Sequence, residues 1–180
     1  MHTSSIMYNN TILAIDTGTE KTGYCIIEQD TYRPLQFGKV ENDEILNVID
    51  EFDGQTVVFE RFAPQQRTGM TTVTAIVWYG RFIERCTRCG YSLNEGIVEI
   101  YRRDVKKHLL GKFDRSKGSA DSQLRKYLVQ RFAKFDMKNG KGTKDSPDWF
   151  YGFSTTDVYA AYCVGVAYLD GLCNDKKGTI

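Results

Sequence analysis

The chain has 180 residues, of which 41% are hydrophobic and 13% aromatic, and its formal net charge is +1. This composition excludes a disordered chain and predicts one globular domain with a substantial core over about residues 11–173. No apolar run reaches the length of a membrane span, and residues 1–10 lack the pattern of a signal peptide. The absence of an apolar span predicts no membrane contact. Because the five cysteines have no secreted-type spacing, we also expect a reducing compartment and hence a cytoplasmic protein.

Charge is distributed unevenly along the chain. Residues 101–144 carry 14 Lys or Arg against 4 Asp or Glu, so the remainder of the chain is acidic. This asymmetry predicts an acidic site in one part and a surface that faces a polyanion in the other. A solvated helical face would account for many of the same basic residues.

The first predicted element is a hairpin over Thr11–Ile27. Its continuous apolar run, Ile12–Ile15, is typical of a strand that is buried on both faces, and Gly18 and Gly23 bracket a polar turn. Asp16 stands where the apolar run ends. A carboxylate in that place either needs a cation, such as a divalent metal ion, or caps the turn through a backbone hydrogen bond.

The next segment repeats this pattern. A third strand over Leu35–Val40 and a helix over Glu41–Phe52 lead to Thr56–Glu60, a second buried strand that ends in an acid. If the two strands are parallel neighbours, Asp16 and Glu60 emerge at the same edge of the sheet. Ligands bind outside the carboxyl ends of the strands in such sheets.

A loop over residues 61–69 connects to a long helix predicted over Met70–Cys89. Gly80 lies inside that helix, where glycine costs about 1 kcal/mol relative to alanine, so we expect it to allow close packing against the sheet. Gly90 ends the helix, and Ile97–Tyr101 is a short strand.

The basic half of the chain begins with a short helix from Arg102 to Gly111. Residues 112–118 are polar and flexible, and a helix follows over Ser119–Phe135, with Phe135 on its apolar stripe. Residues 136–147 have no apolar period, which favours a loop that stays disordered until a partner binds. A last helix runs from near Ser154 to near Cys173, before a loose tail.

A third acid precedes the last helix. Ser154 and Asp157 form a capping box with Asp in place of Glu, which is a purely structural explanation for both. The small residues that follow at helical spacing would let this helix lie close to the sheet; they are Ala160, Ala161, Val164 and Ala167. Asp157 would then point at Asp16 and Glu60. Three carboxylates at one point repel one another unless cations neutralise them, and oxygen ligands favour one or two Mg²⁺ or Mn²⁺ ions.

Taken in order, these motifs resemble the RuvC-type Holliday-junction resolvases. They are Asp16-x-Gly18, Thr22-Gly23-Tyr24, the strand end at Glu60, the helix with Gly80, Val105–Gly111 and Asp157–Ala160. The resemblance covers about residues 11–170. It implies an α/β, RNase H-like domain with a five-stranded mixed sheet flanked by helices. It also implies a homodimer that cuts four-way or branched DNA in paired, Mg²⁺-dependent phosphodiester hydrolysis.

The resemblance also implies roles for individual residues. Asp16 would bridge two metal ions, and Glu60 and Asp157 would each hold one, with Mn²⁺ able to replace Mg²⁺. Lys107 would offset charge on the cut phosphate, with Lys106 or Lys117 as second choices. The expected DNA-binding residues are Phe62, Arg67, Arg102, Arg103, Lys106, Lys107 and Lys117. Phe62 either stacks on an unpaired base at the junction centre or anchors its loop in the core.

The chain departs from the family pattern at two positions. The family usually has a fourth acid, or a histidine, close to the third, whereas this chain has Ser154 three residues before Asp157 and its nearest upstream acid is Asp148. The family often has a lysine near the start of the helix that begins here at Ser119. Asp121 stands there, and Lys117 could substitute. Both departures leave metal occupancy and catalytic rate open.

The same features fit two other classes of protein to different degrees. A nuclease fold that binds branched DNA with weak or no cleavage would also agree with the missing fourth acid. Actin-like and sugar-kinase ATPases share the Asp-x-Gly hairpin, but they need two such domains and 180 residues are too few. Cys86 and Cys89 have no second Cys-x-x-Cys pair to complete a zinc site.

Overall fold

The computed structural model describes residues 10–62, 69–93, 95–112 and 114–172. Within these ranges there are six strands: β1 (Thr11–Asp16), β2 (Lys21–Glu28), β3 (Pro34–Glu41), β4 (Thr56–Arg61), β5 (Ser92–Leu93) and β6 (Gly96–Tyr101). The α-helices are α1 (Asn42–Glu51), α2 (Met70–Arg88), α3 (Arg102–Leu110), α4 (Ala120–Phe132) and α5 (Thr156–Leu169), and a short 3₁₀ helix covers Arg115–Lys117. No helix in the described ranges has the length and apolarity needed to cross a membrane.

The strands form one mixed sheet in the order β3-β2-β1-β4-β6-β5. The first three strands are antiparallel neighbours, and β4 runs parallel to both β1 and β6. The predicted α/β class, with a mixed sheet flanked by helices, is confirmed. The described strands number six rather than the predicted five, because Ser92–Leu93 is too short to show the alternating pattern of a strand.

Alternate residues of β1 supply two separate cores. Ile12 and Ala14 pack with α3, α4 and α5 on one face of the sheet. Leu13 and Ile15 pack with α1 and α2 on the other face. None of the four has exposed surface, so both faces of β1 are covered and its run is continuously apolar.

Helix α5 lies directly against β1 and β2, as its small residues predict. A Cβ atom at Gly165 would come within 2.3 Å of the Ile27 Cδ1 atom and 3.1 Å of the Ala14 Cβ atom. The predicted packing role of Gly80, by contrast, is wrong. A Cβ atom at Gly80 would meet no atom of the described residues within 4 Å, and this glycine is exposed on α2.

Side-chain bonds to the backbone hold the segment between α4 and α5, which we expected to be disordered without a partner. Helix α4 ends at Phe132, and Phe135 is 55% exposed rather than part of the apolar stripe. The buried Asp148 carboxylate accepts hydrogen bonds from four backbone N–H groups, those of Lys134, Phe135, Asp136 and Trp149. The Asp136 carboxylate accepts four more, from Lys138, Asn139, Lys141 and Gly142. Polar bonds of this kind leave no trace in a hydropathy pattern.

Asp148→Asn should therefore destabilise the fold in a pH-dependent way. Burial raises the pKa of Asp148, but its backbone N–H donors more than offset this and lower the pKa to about 2. A carboxylate whose pKa falls on folding stabilises the fold above its unfolded pKa, and that contribution is lost as the pH falls through the folded pKa. We expect the variant to lose about 2 kcal/mol of unfolding free energy at pH 7.

Urea unfolding at a series of pH values checks this expectation. The difference between wild type and Asp148→Asn should shrink between pH 4 and pH 2. Asp145→Asn is the matched control, because Asp145 is an exposed acid of the same segment. A difference that stayed constant down to pH 2 would contradict the assigned role of the Asp148 carboxylate.

Candidate active site

Asp16 and Glu60 lie side by side at one edge of the sheet. In the parallel pairing of β1 with β4, Ile15 is opposite Phe59, so the next residues on the two strands are Asp16 and Glu60. The prediction that these two strands are parallel neighbours is confirmed. Both carboxylates therefore leave the sheet at the carboxyl ends of adjacent strands.

Asp157 reaches the same edge from the other side of Asp16. Asp16 is paired with Gly23 in the β1–β2 register. A Cβ atom at Gly23 would lie 2.5 Å from the carbonyl oxygen and 2.9 Å from the Cβ atom of Asp157. The absence of a side chain at position 23 thus lets the first turn of α5 rest on β2. As a result, Asp16 has Glu60 of β4 on one side and Asp157 of α5, which rests on β2, on the other.

Asp16 is the most strongly perturbed of the three acids. Burial, and next the negative charge of Glu60, raise the pKa of Asp16 to about 8, and Asp157 adds to the shift. Burial also raises the pKa of Glu60, although the positive charge of Arg102 opposes it. A cation is the natural partner for a carboxyl group in such surroundings.

Two basic side chains pair with the carboxylates on either side of Asp16, Arg102 with Glu60 and Lys39 with Asp157. Arg102 Nη1 donates to both carboxylate oxygens of Glu60, at 3.1 and 3.0 Å, and Arg102 Nη2 donates to Asp121 Oδ1 at 2.7 Å. Lys39 Nζ lies 2.7 Å from Asp157 Oδ2. The sequence analysis missed Lys39, although the β2–β3 register places it opposite Gly23, in one row with Asp16.

The donor chemistry of the site fits a magnesium ion, but the side-chain arrangement is not that of a formed metal site. In the described ranges, no group of three His, Cys, Asp or Glu side chains is arranged to hold a metal ion. The three acids still supply the oxygen ligands that Mg²⁺ prefers, and the partly buried Asp16 carboxyl group, with its raised pKa, favours a nearby cation. Release of Arg102 and Lys39 would free Glu60 and Asp157 as ligands.

The two candidate catalytic lysines of α3 differ in position. Lys106 is partly buried, lies 3.9 Å from Asp121 Oδ1 through its Nζ atom, and is close enough to Glu60 to lower the pKa of that carboxyl group. Lys107 is exposed, because successive residues of a helix project about 100° apart. The structure therefore brings the second choice, Lys106, and not the first choice, Lys107, to the carboxylates.

The other predicted DNA-binding residues are spread over the same end of the molecule or beyond it. Phe62 is partly buried, packs edge-on against Tyr79 with ring centroids 5.7 Å apart, and lines a cavity with Lys39 and Asp157. Phe62 therefore lies next to Asp157, and one edge of its ring packs on Tyr79. Arg103 and Lys117 are exposed, and each faces an acid of its own segment, Asp104 and Asp114. Arg67 lies outside the described residues.

A fourth acidic ligand is not found at either position considered. The Asp148 carboxylate accepts hydrogen bonds from backbone N–H groups that include those of Lys134 and Asp136, before α5. Ser154 lines a cavity next to Glu60, and serine is not an acid. A further acid near the site is Asp121, which Arg102 links to Glu60 and whose charge adds to the pKa shift of Asp16. The sequence analysis noted Asp121 only as the residue in place of a family lysine.

Comparison with known proteins was informative at the level of structure only. No family model and no curated protein sequence matches the chain. The RuvC structure of Thermus thermophilus matches with a TM-score of 0.58 at 14% identity, over 91% of this chain and 98% of that chain. RuvC of T. thermophilus in complex with a Holliday junction substrate matches with a TM-score of 0.56 at 14% identity, over 87% and 90%. The chain therefore has a RuvC-type fold.

Proposed function

We propose that the protein is a metal-dependent endonuclease that cuts four-way or branched DNA. The observation that carries this proposal is that Asp16, Glu60 and Asp157 lie at one sheet edge, with the partly buried Asp16 between the other two. A similar fold in a RuvC protein bound to a Holliday junction supports DNA as the substrate.

We infer two kinds of role for the residues of the site, metal binding by the acids and phosphate binding by the cations. Asp16, Glu60 and Asp157 would hold one or two Mg²⁺ or Mn²⁺ ions. Such ions, when bound, lower the pKa of an attacking water and neutralise the leaving oxygen. Arg102 and Lys39 would exchange their carboxylate partners for DNA phosphates, which keeps the cations of the site paired in both states.

Lys106 and Lys107 form a matched pair of substitutions. Lys106→Ala should lower the single-turnover rate of junction cleavage by about 10–100-fold, because it removes a partly buried positive charge beside Glu60 and the cut phosphate. Lys107→Ala removes the same charge from the exposed side of α3 and should stay within about threefold of wild type. Equal losses in the two variants would contradict this placement.

A dimer would match the two-fold symmetry of a four-way junction and allow paired cuts. Helix α2 carries exposed apolar residues at helical spacing that suit a dimer interface: Met70, Val73, Ile76 and Val77. Val77, 57% exposed, is the central test position. Val77→Glu should weaken self-association at least tenfold by sedimentation, whereas Thr87→Glu, near the end of the same helix, should not. A wild type that stays monomeric at working concentration would contradict the dimer.

A second candidate function is a module that binds branched DNA without cutting it. The pairing of Glu60 with Arg102 and of Asp157 with Lys39 favours this alternative, since both carboxylates are engaged. Incubation of a synthetic four-way junction with the protein and Mg²⁺, with Asp16→Asn as the comparison, separates the two functions. Nicking by the wild type alone supports the nuclease. Binding without nicking under any metal condition would replace it by the binding module.

A further inference from the structure

The segment between α4 and α5 contains an exposed loop that the protein holds in one conformation. We call residues 134–144 of this segment the basic loop. Its chain folds around the Asp136 carboxylate, which accepts hydrogen bonds from the backbone N–H groups of Lys138, Asn139, Lys141 and Gly142. An isolated β-bridge between Gly142 and Pro147 closes the far end of the loop. The basic loop is therefore fixed by polar bonds rather than by an apolar core.

The basic loop displays positive charge that the protein itself does not neutralise. Its four lysines form no salt bridge with another described residue; they are Lys134, Lys138, Lys141 and Lys144. Asp136 is the one acid in the sequence of the loop, and it is occupied by backbone N–H groups. By contrast, the exposed Arg81 and Arg88 of α2 each pair with an acid. Unpaired lysines on a fixed surface favour a polyanion as partner.

An exposed aromatic ring lies among these lysines. Phe135 is 55% exposed, and a Cβ atom at Gly142 would lie 3.1 Å from the Phe135 Cζ atom. The ring therefore lies over the backbone next to Lys141. Lysines combined with an exposed ring are typical of surfaces that bind nucleic acid, where the cations contact phosphates and the ring contacts the bases.

The basic loop lies beside the candidate active site. Lys141 and Glu60 line the same cavity, of about 440 Å³. The segment then leads into α5, which carries Asp157 in its first turn. A DNA strand that places a phosphate at the three acids can therefore continue across the basic loop.

We propose that the basic loop binds the phosphate backbone of one arm of the branched DNA, next to the phosphate that is cut. Lys134, Lys138 and Lys144 contact phosphates of that arm. Asp136 is a positioning residue, which fixes the loop in advance so that binding does not have to order it. Phosphate contacts of this kind add affinity and orient the DNA without sequence preference. This inference rests on the proposed function.

The first test removes charge from the basic loop of the full-length protein. Binding to a synthetic four-way junction is measured at a series of salt concentrations, with Ca²⁺ in place of Mg²⁺. The pair Lys138→Ala with Lys144→Ala should weaken binding at least about fivefold, and should reduce the slope of log Kd against log salt by about 1 for each lysine. The pair Arg88→Ala with Lys112→Ala makes the same charge change on other exposed surfaces and should alter neither quantity. An unchanged slope in the loop variant overturns the inference.

The second test, Asp136→Asn, examines the fixed conformation through an effect of opposite sign. Charge alone predicts tighter DNA binding, because the variant is more positive than wild type. Loss of the backbone bonds should instead weaken binding at least about threefold, because the loop must then be ordered on binding. Asp145→Asn is the matched control, since it removes an exposed acid of the same segment, and it should bind at least as tightly as wild type. Tighter binding by a folded Asp136→Asn protein, checked by circular dichroism, overturns the positioning role.

The outcomes separate this inference from the proposed function. A wild type that cuts the junction, with affinity and salt slope unchanged in the Lys138 and Lys144 variant, overturns the role of the basic loop and leaves the nuclease intact. Binding that depends on the loop, without cutting under any metal condition, supports the loop and overturns the nuclease. A wild type that neither binds nor cuts branched DNA overturns both.

Discussion

Asp16→Asn is expected to abolish junction cleavage and, at the same time, to raise the stability of the metal-free protein. The Asp16 carboxyl group is partly buried, and Glu60 and Asp157 raise its pKa further, so this acid destabilises the metal-free fold. An acid whose pKa is raised on folding destabilises the fold at pH 7, so its replacement by a neutral amide should raise the unfolding free energy by roughly 1–4 kcal/mol. The melting temperature measured with EDTA present should rise by about 2–4 °C for each kcal/mol.

The loss of cleavage should be at least about 1,000-fold. A residue that holds the proposed metal ions would supply several kcal/mol of transition-state stabilisation through them, and each 1.36 kcal/mol is tenfold in rate. Single-turnover cleavage of a labelled junction measures it. The melting temperature of the wild type should also rise with Mg²⁺, and that of Asp16→Asn should not, because only a bound ion stabilises the folded state.

An exposed acid provides the control for Asp16. Asp145→Asn changes the net charge by the same amount on the surface and should alter neither cleavage nor stability measurably. If Asp16→Asn cut the junction at the wild-type rate, the proposed metal site would be wrong. If the variant were inactive but also less stable than wild type in EDTA, Asp16 would be a structural residue and its catalytic role would be contradicted.

The positions of the three acids could be predicted from the sequence because each follows from a strong backbone pattern. Asp16 and Glu60 each follow a continuous apolar run. Such runs are typical of strands buried in a parallel sheet, and β1 and β4 are indeed parallel neighbours whose carboxyl ends lie at the same edge. Asp157 could be placed because the helix that follows it is built of small residues, and Gly165 indeed lets that helix touch β1 and β2. Strand ends and helix packing therefore bring the three acids to one edge of the sheet.

The basic residues that pair with these acids could not be predicted, because a long Arg or Lys side chain can reach several charged groups and its position depends on the tertiary fold. Arg102 was expected to bind DNA, and in the structure it joins Glu60 to Asp121. The choice between Lys106 and Lys107 depended on the phase of α3. Val105 and Leu109 are both buried in that helix, and their spacing of four residues was a signal that could have fixed the phase.

Residue type alone predicts neither packing nor disorder in two parts of this chain. Gly80 was expected to touch the sheet, yet its side of α2 is open in the described structure. The polar segment before α5 was expected to be disordered, yet Asp136 and Asp148 bind its backbone. Neither outcome can be read from composition, because both depend on which groups the tertiary fold brings near.

Gly23→Ala is expected to damage the site strongly, because the hairpin meets α5 at this glycine. A Cβ atom at Gly23 would lie 2.5 Å from the carbonyl oxygen and 2.6 Å from the carbonyl carbon of Asp157. These are backbone atoms, so α5 must move away from β2 to admit the methyl group. Overpacking of this kind costs about 1–3 kcal/mol. A shift of about 1 Å in the Asp157 carboxylate should lower the cleavage rate by about 100-fold.

Gly80→Ala is the matched control, since it adds the same methyl group to a helix at an open position. The backbone at Gly80 is an ordinary helical one, and alanine should raise the unfolding free energy by about 1 kcal/mol without changing cleavage. Urea unfolding and single-turnover cleavage of both variants test the pair. A Gly23→Ala protein as stable and as active as wild type would show that α5 does not rest on β2 at this level. The placement of Asp157 beside Asp16 would then fail, because Gly23 is the contact that brings the two acids to the same row of the sheet.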